Sequence, residues 1–203
     1  MARVGEVITN PGTGERIEFL ETRATTGGSR LELELTLAPK GRVGGLPHRH
    51  PATETVEVLE GVLSGRVRAR RVDVGPGGTI VLPAGVDHYL FNETDERVRA
   101  RVTSTPACDF ETFFETVFAL AHERRNRSFR GLPAPLHAAM LSRVYDVYAP
   151  VLPIAVQRRM LDPVVALARK RGYPVKVAPV EDAAGAEGLE PPTYGFGDRR
   201  STN

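Results

Sequence analysis

His48-Arg49-His50-Pro51-Ala52-Thr53-Glu54 decides the fold, and His88 answers it from a second stretch, Gly77-Gly78-Thr79-Ile80-Val81-Leu82-Pro83-Ala84-Gly85-Val86-Asp87-His88-Tyr89-Leu90-Phe91-Asn92. Alternate side chains of an extended chain share a face, so His48, His50 and Glu54 project the same way if the backbone stays extended. Two imidazoles and a carboxylate converging on one spot form a ligand set for a divalent transition metal. Thr55-Val56-Glu57-Val58-Leu59-Glu60-Gly61 continues as a short strand, with Val56 and Val58 inward and a turn glycine at its end. The second stretch reads as a buried strand, a Pro-Ala-Gly turn, and a third histidine on the strand that follows.

Working outward, the first half alternates. Val4 to Thr9 reads as a strand, the turn formers Asn10-Pro11-Gly12-Thr13-Gly14 break it, and Arg16 to Arg23 returns as its hairpin partner. Leu31-Glu32-Leu33-Glu34-Leu35-Thr36-Leu37 places four leucines on one face and the acids on the other. Arg66-Val67-Arg68-Ala69-Arg70 and Arg97-Val98-Arg99-Ala100-Arg101-Val102 alternate in the same way. Short strands at close spacing with turn clusters between them predict an antiparallel sandwich or barrel. The arginine rows read as a solvated sheet face opposed by acids such as Glu32 and Glu34, because they lack the interleaved aromatics of a single-strand nucleic-acid binder.

The two quoted stretches resemble the paired signature motifs of the cupin superfamily. The first motif fits from His48 through Gly61 and departs only where its leading glycine would fall, at Arg42, with Gly41 and Gly44 either side. The second fits throughout, from Gly77 through Pro83, Gly85 and His88 to Asn92. The resemblance covers about residues 1–107. It implies a mainly β fold, a cupin-type double-stranded β-helix (a small jelly-roll barrel) with a metal in its mouth. One motif pair implies a single barrel, which excludes two-barrel members such as oxalate decarboxylase.

After Cys108 the period changes. Asp109 to Glu123 places Phe110, Phe113, Phe114, Val117, Phe118 and Ala121 at helical spacing, with Asp109 as N-cap and Arg124, Arg125 and Arg127 at the far end. Past a loop at Gly131-Leu132-Pro133, Leu136 to Tyr148 reads as a second helix and Pro153 to Leu161 as a third. Asp162-Pro163 supplies an N-cap and N1 pair for a fourth, closed by Gly172. The chain thus divides into a barrel over 1–107, a C-terminal α-helical extension over 108–180, and a polar, turn-rich tail over 181–203 that reads as disordered. The extension carries enough apolar surface to require a partner: packing on the barrel or across a homodimer interface is the favoured reading, a lid or a membrane-surface anchor the sharper one. His122 and His137 have no ligand neighbours and read as structural, and Cys108 reads as a small buried apolar residue.

Composition excludes more than it selects. The chain has 203 residues, 41% hydrophobic and 26% charged, ordinary for a soluble globule. One cysteine forms no internal disulfide, which fits a reducing compartment, and no apolar run suits a signal peptide or membrane span. A cytoplasmic protein is expected. Residues 1–105 are electrically balanced, 106–180 carry 11 basic against 6 acidic residues, and 181–203 carry 2 against 5.

The expected site is His48, His50, Glu54 and His88 around one divalent transition metal: Fe, Mn, Ni or Co with two open positions, or a nearly saturated Zn. Glu54 doubles as the candidate catalytic residue, a carboxylate able to leave the metal and accept a proton from an enol, catechol or hydroxyl. Pro83 and Gly85 aim His88, and Asn92 holds backbone. Val56, Val58 and Leu90 offer an apolar wall, so a partly hydrophobic oxygenated organic molecule is expected over a sugar phosphate. The resemblance leaves the reaction open among dioxygenases, isomerases, decarboxylases and cyclases, with non-catalytic small-molecule binding or sensing as the alternative. Nucleic acid is not an expected partner.

Overall fold

Strict alternation in the first half becomes sheet. The structure, a computed structural model, describes residues 2–123 and 133–178. Nine strands are followed by three helices among these residues: β1 (Val7–Asn10), β2 (Glu15–Glu21), β3 (Leu31–Leu37), β4 (Thr53–Glu60), β5 (Leu63–Val67), β6 (Arg70–Val74), β7 (Thr79–Leu82), β8 (His88–Phe91), β9 (Val98–Thr105), α1 (Phe110–His122), α2 (Pro135–Val144) and α3 (Ile154–Lys170). The strands form a six-stranded sheet, order β1-β2-β3-β9-β4-β7, and a three-stranded sheet, order β6-β5-β8. All pairings are antiparallel, as a jelly roll requires.

The leucine alternation of β3 is resolved on both faces. Leu33, Leu35 and Leu37 sit opposite Val102, Ala100 and Val98 of β9 and are buried, with Leu37 fully so. On the outer face Glu34 meets Arg99 at 3.0 Å and Glu32 meets Arg101 at 3.5 Å. The β9 arginine row is therefore a charge-paired sheet face. Phe19, Leu31, Val56, Val58, Leu63 and Leu82 complete an interior in which each side chain removed from water contributes roughly 1.5–3 kcal/mol.

The other arginine row is not one strand. Val67 pairs with Arg70, so Arg68-Ala69 forms a tight turn between β5 and β6, with Arg68 at φ 55°. Alternation alone hid this turn because neither residue is a turn former.

The helices also differ from the sequence reading. Asp109 occupies the N-cap of α1 but makes no capping bond, because its carboxylate pairs with Arg23 on the barrel. α2 ends at Val144 rather than reaching Tyr148: Asp146 turns the chain at φ 55°, and Tyr148 leaves the helix to bond elsewhere. The expected third and fourth helices are one, since α3 runs through Pro163. Proline removes one helical donor, leaving the carbonyl of Arg159 unpaired within the helix, but both residues are exposed and water can bond that carbonyl.

α1 joins two cores. Phe110 and Phe118 belong to the barrel interior, while Leu120 packs with Met140, Leu141, Tyr145 and Ala168 between the helices. His122 bonds the carbonyl of Thr9 (2.9 Å), and the fully buried His137 bonds that of Pro174 (2.8 Å), so both act in packing. Cys108 is only half-buried but does pack against the barrel core. Arg124, Arg125, Arg127, the Gly131-Leu132 loop and the tail 181–203 lie outside the described residues.

Candidate metal centre

The motif histidines are joined through their backbones before their side chains meet. The amide of His48 donates to the carbonyl of His88 (3.0 Å) and the amide of His88 to that of His48 (2.9 Å), an isolated antiparallel bridge. Gly85, at φ 71°, donates to the carbonyl of His50 (2.8 Å), so the Pro-Ala-Gly turn is fastened to the first motif. Upstream, Gly44 sits at φ 62°, and a Cβ there would come within 3.3 Å of the His48 ring. A side chain there would crowd the ring, and glycine avoids the contact at a backbone angle that costs it nothing.

His48, His50 and His88 offer ligand nitrogens that all lie within 4.8 Å of one another. The rings cluster edge to face, with centroids 4.6 Å apart for His48–His88 and 4.7 Å for His50–His88. Nδ1 of His48 lies 2.9 Å from the carbonyl of Leu46, and Nδ1 of His88 lies 2.9 Å from that of Val86. A carbonyl only accepts, so both Nδ1 atoms carry the proton and both Nε2 lone pairs are available to a metal. These two carbonyls fix the orientation of the His48 and His88 rings.

Electrostatics prepares the same state. Burial, then the neighbouring His88 and His50 imidazoles, lowers the His48 pKa to about 4, even though the residue is only half-buried by area. Burial also lowers that of His88. Both rings are neutral at neutral pH, the form that ligates. Nε2 of His88 and both nitrogens of His50 are buried with no hydrogen-bond partner. Orphaned buried nitrogens are costly unless something satisfies them, and a divalent cation fits this donor set.

Glu54 stands beside this trio, at the start of β4. Its Oε1 accepts a bond from the Ser104 hydroxyl (3.0 Å) and lies 3.6 Å from Nε2 of His50. That separation is too long for a hydrogen bond. Burial pushes the carboxyl up, but the pull of His50, His88 and His48 outweighs it and holds the pKa at about 2. Ser104 was not singled out from sequence, although a polar residue on the inward face of β9, after Val98, Ala100 and Val102, was the available signal. Asn92 bonds the carbonyls of Ala38 (3.0 Å) and Glu96 (2.7 Å), the expected backbone role.

Residues 33–104 match the Cupin domain family. This part of the chain is a cupin domain. Solved structures similar to this cupin include an RmlC-like cupin from Shewanella frigidimarina, 19% identical, with 53% of this chain and 88% of that chain covered and a TM-score of 0.46. The polyketide cyclase RemF from Streptomyces resistomycificus is 24% identical over 52% of this chain and 79% of that one, at a TM-score of 0.44. The Cupin_2 domain of an XRE family transcriptional regulator from Enterobacter cloacae is 16% identical over 45% and 96%, at 0.41. No match is found among curated proteins.

In this cupin the helical region reaches the site. The Phe110 ring stands edge-on to His50, centroids 4.8 Å apart, and is itself 2% exposed. Arg49, between the two motif histidines, exchanges both backbone hydrogen bonds with Tyr148 and donates its guanidinium to the carbonyl of Leu152. The histidines line neither principal cavity. The larger, about 710 Å³, is a cleft between edge strands β6 and β7, walled by Val67, Val72, Val74 and Ile80. Val67 is the direct cross-strand partner of His88, so the cleft approaches the histidine trio from the side.

Proposed function

We propose that this cupin is a mononuclear divalent-metal enzyme acting on a small, partly apolar oxygenated organic molecule, with dioxygenase-like chemistry the first candidate and isomerase, decarboxylase or cyclase chemistry behind it. The observation that carries the reading is the convergence of His48, His50 and His88 on one point with buried, unpartnered nitrogens. A metal held there, with Glu54 as a fourth ligand, would supply Lewis acidity and open positions for a substrate oxygen.

This chain's own residues have defined tasks. The carbonyls of Leu46 and Val86 hold the His48 and His88 rings in the ligating tautomer. Ser104 orients Glu54, which is ionised at neutral pH and serves better as an anionic ligand than as a free base, since a pKa of about 2 is poorly matched to abstraction at pH 7. Phe110 keeps water from His50. The apolar β6/β7 cleft suits the carbon skeleton of the substrate.

The second reading is a non-catalytic metal-assisted binder or sensor. Phe110 favours it, because a ring packed on His50 narrows access to the centre. Metal content of protein purified without added metal, beside His50→Ala, tests the first reading. Near-stoichiometric Fe, Mn, Ni or Co lost in the variant, with turnover of enols or catechols, supports the enzyme. Zinc alone, with ligand-dependent melting shifts and no product, supports the binder.

A further inference from the structure

Exposed large apolar side chains are unevenly spread in this molecule. Val151, Leu152, Val156, Met160 and Leu167, between 41% and 72% exposed, all lie on α3 or the turn leading into it. At 100° per residue, Val156, Met160, Pro163 and Leu167 fall within a sector of roughly 60°, a continuous stripe along the helix. The neighbouring sector is already used: Gln157 and Ala168 are buried, and Ala168 packs in the core shared with α1 and α2. The stripe is thus a second apolar face that the protein's own packing leaves in water.

Charge says what covers it. Arg159, Arg169, Lys170 and Arg171 are exposed and make no ion pair with any described residue, whereas Arg143 takes Asp162, the only acid in α3, and Arg158 takes Asp146. Face-to-face pairing of two copies would bring these uncompensated cations together with no acid to oppose them. An apolar stripe beside free arginines and lysine matches instead a surface that is negative outside and apolar beneath.

We propose that α3 is an interfacial helix that docks this protein on an anionic lipid surface, with Val156, Met160 and Leu167 entering the acyl boundary and Arg159 and Lys170 meeting the headgroups. The helix has 17 residues, and no described helix is long and apolar enough to cross a membrane, so docking is in the plane of the surface. This inference does not depend on the metal centre.

The test is cosedimentation of the full chain with phosphatidylcholine vesicles, with and without about 30% phosphatidylserine, at about 0.15 M and 0.5 M salt. Expected are binding to the anionic vesicles only, weakening with salt, and a loss of at least about fivefold for each of Arg159→Glu and Lys170→Glu. Met160→Glu, a change at a side chain 58% exposed that leaves the fold intact by melting temperature, abolishes binding. Absence of binding to anionic vesicles overturns the proposal, whether the acidic segment 181–203, a protein or a nucleic acid is the true occupant. So does sedimentation equilibrium showing a dimer that Met160→Glu dissociates.

Discussion

Arg49 and Tyr148, 99 positions apart, bind each other through both backbone hydrogen bonds, each 2.9 Å. The pair fastens the helical region to the residue between two metal-ligand candidates. Arg49 adds an ion pair to Asp87 at 3.4 Å, next to the third. One clamp therefore spans His48, His50 and His88. Tyr148→Pro deletes the donor on one side, and chelator competition should show metal affinity at least about tenfold weaker, worth ~1.4 kcal/mol. Tyr148→Phe keeps the backbone and loses only the hydroxyl's two bonds, one donated to Asp146 and one accepted from Arg158, so its affinity should stay near that of the parent. Equal affinities for all three proteins would remove the clamp from the site.

Phe110 and Phe118 are both nearly buried on α1, 2% and 3% exposed, but only Phe110 touches a site histidine. Truncating either to Ala should cost about 3–5 kcal/mol by denaturant unfolding. Only Phe110→Ala should also speed metal loss to a chelator, because it uncovers His50. If both variants release metal at the parent rate, Phe110 is packing alone.

The depressed His48 pKa sets a pH window. A free imidazole protonates near 6.5, whereas His48 stays neutral down to about 4. Proton competition at this ligand is therefore absent between pH 7 and 5, and protonation of His48 itself sets in only as pH approaches 4. The sign for the metal-free protein is the same: the depressed pKa contributes stability present above about 6.5 and lost as pH falls toward 4. The His48 ring signals of the metal-free protein, followed by NMR at pH 7, 6, 5 and 4, check this; protonation already at pH 6 contradicts it.

Glu15 works in the opposite direction. Its carboxyl is 2% exposed, accepting bonds from the Thr13 hydroxyl (2.6 Å) and the Gly44 amide (3.2 Å), in the loop that delivers His48. Burial outweighs these bonds and raises its pKa from 4.5 to about 7. A raised folded-state pKa means stability is fully present below pH 4.5 and lost as pH rises through 7. The loss is on the order of 3 kcal/mol. Glu15→Gln, neutral at every pH, should flatten the unfolding free energy across this window; an unchanged slope would place the titration elsewhere.

Much of this was legible in the chain. Leu31 to Leu37 announced a two-faced strand because side-chain alternation is a local property of extended backbone. His48, His50, Glu54 and His88 could be named because their spacing is built into short segments, and the first structural layer of the site is local. What remained hidden was set by contacts between distant segments. Whether α3 is one helix or two depended on Pro163 facing water, which a sequence pattern that starts helices at Asp-Pro does not register. The end of α2 was moved by Tyr148 finding Arg49, and the missing cap on α1 by Asp109 finding Arg23. Ser104 on Glu54, Val86 and Leu46 on the histidines, and Phe110 on His50 are likewise meetings of strands and helices remote in sequence. The sequence by itself determined the barrel and brought His48, His50 and His88 into view as a group, since periodicity and spacing act within a few residues. Only the tertiary structure decided their protonation, their access and their clamp, since burial and packing belong to the whole chain.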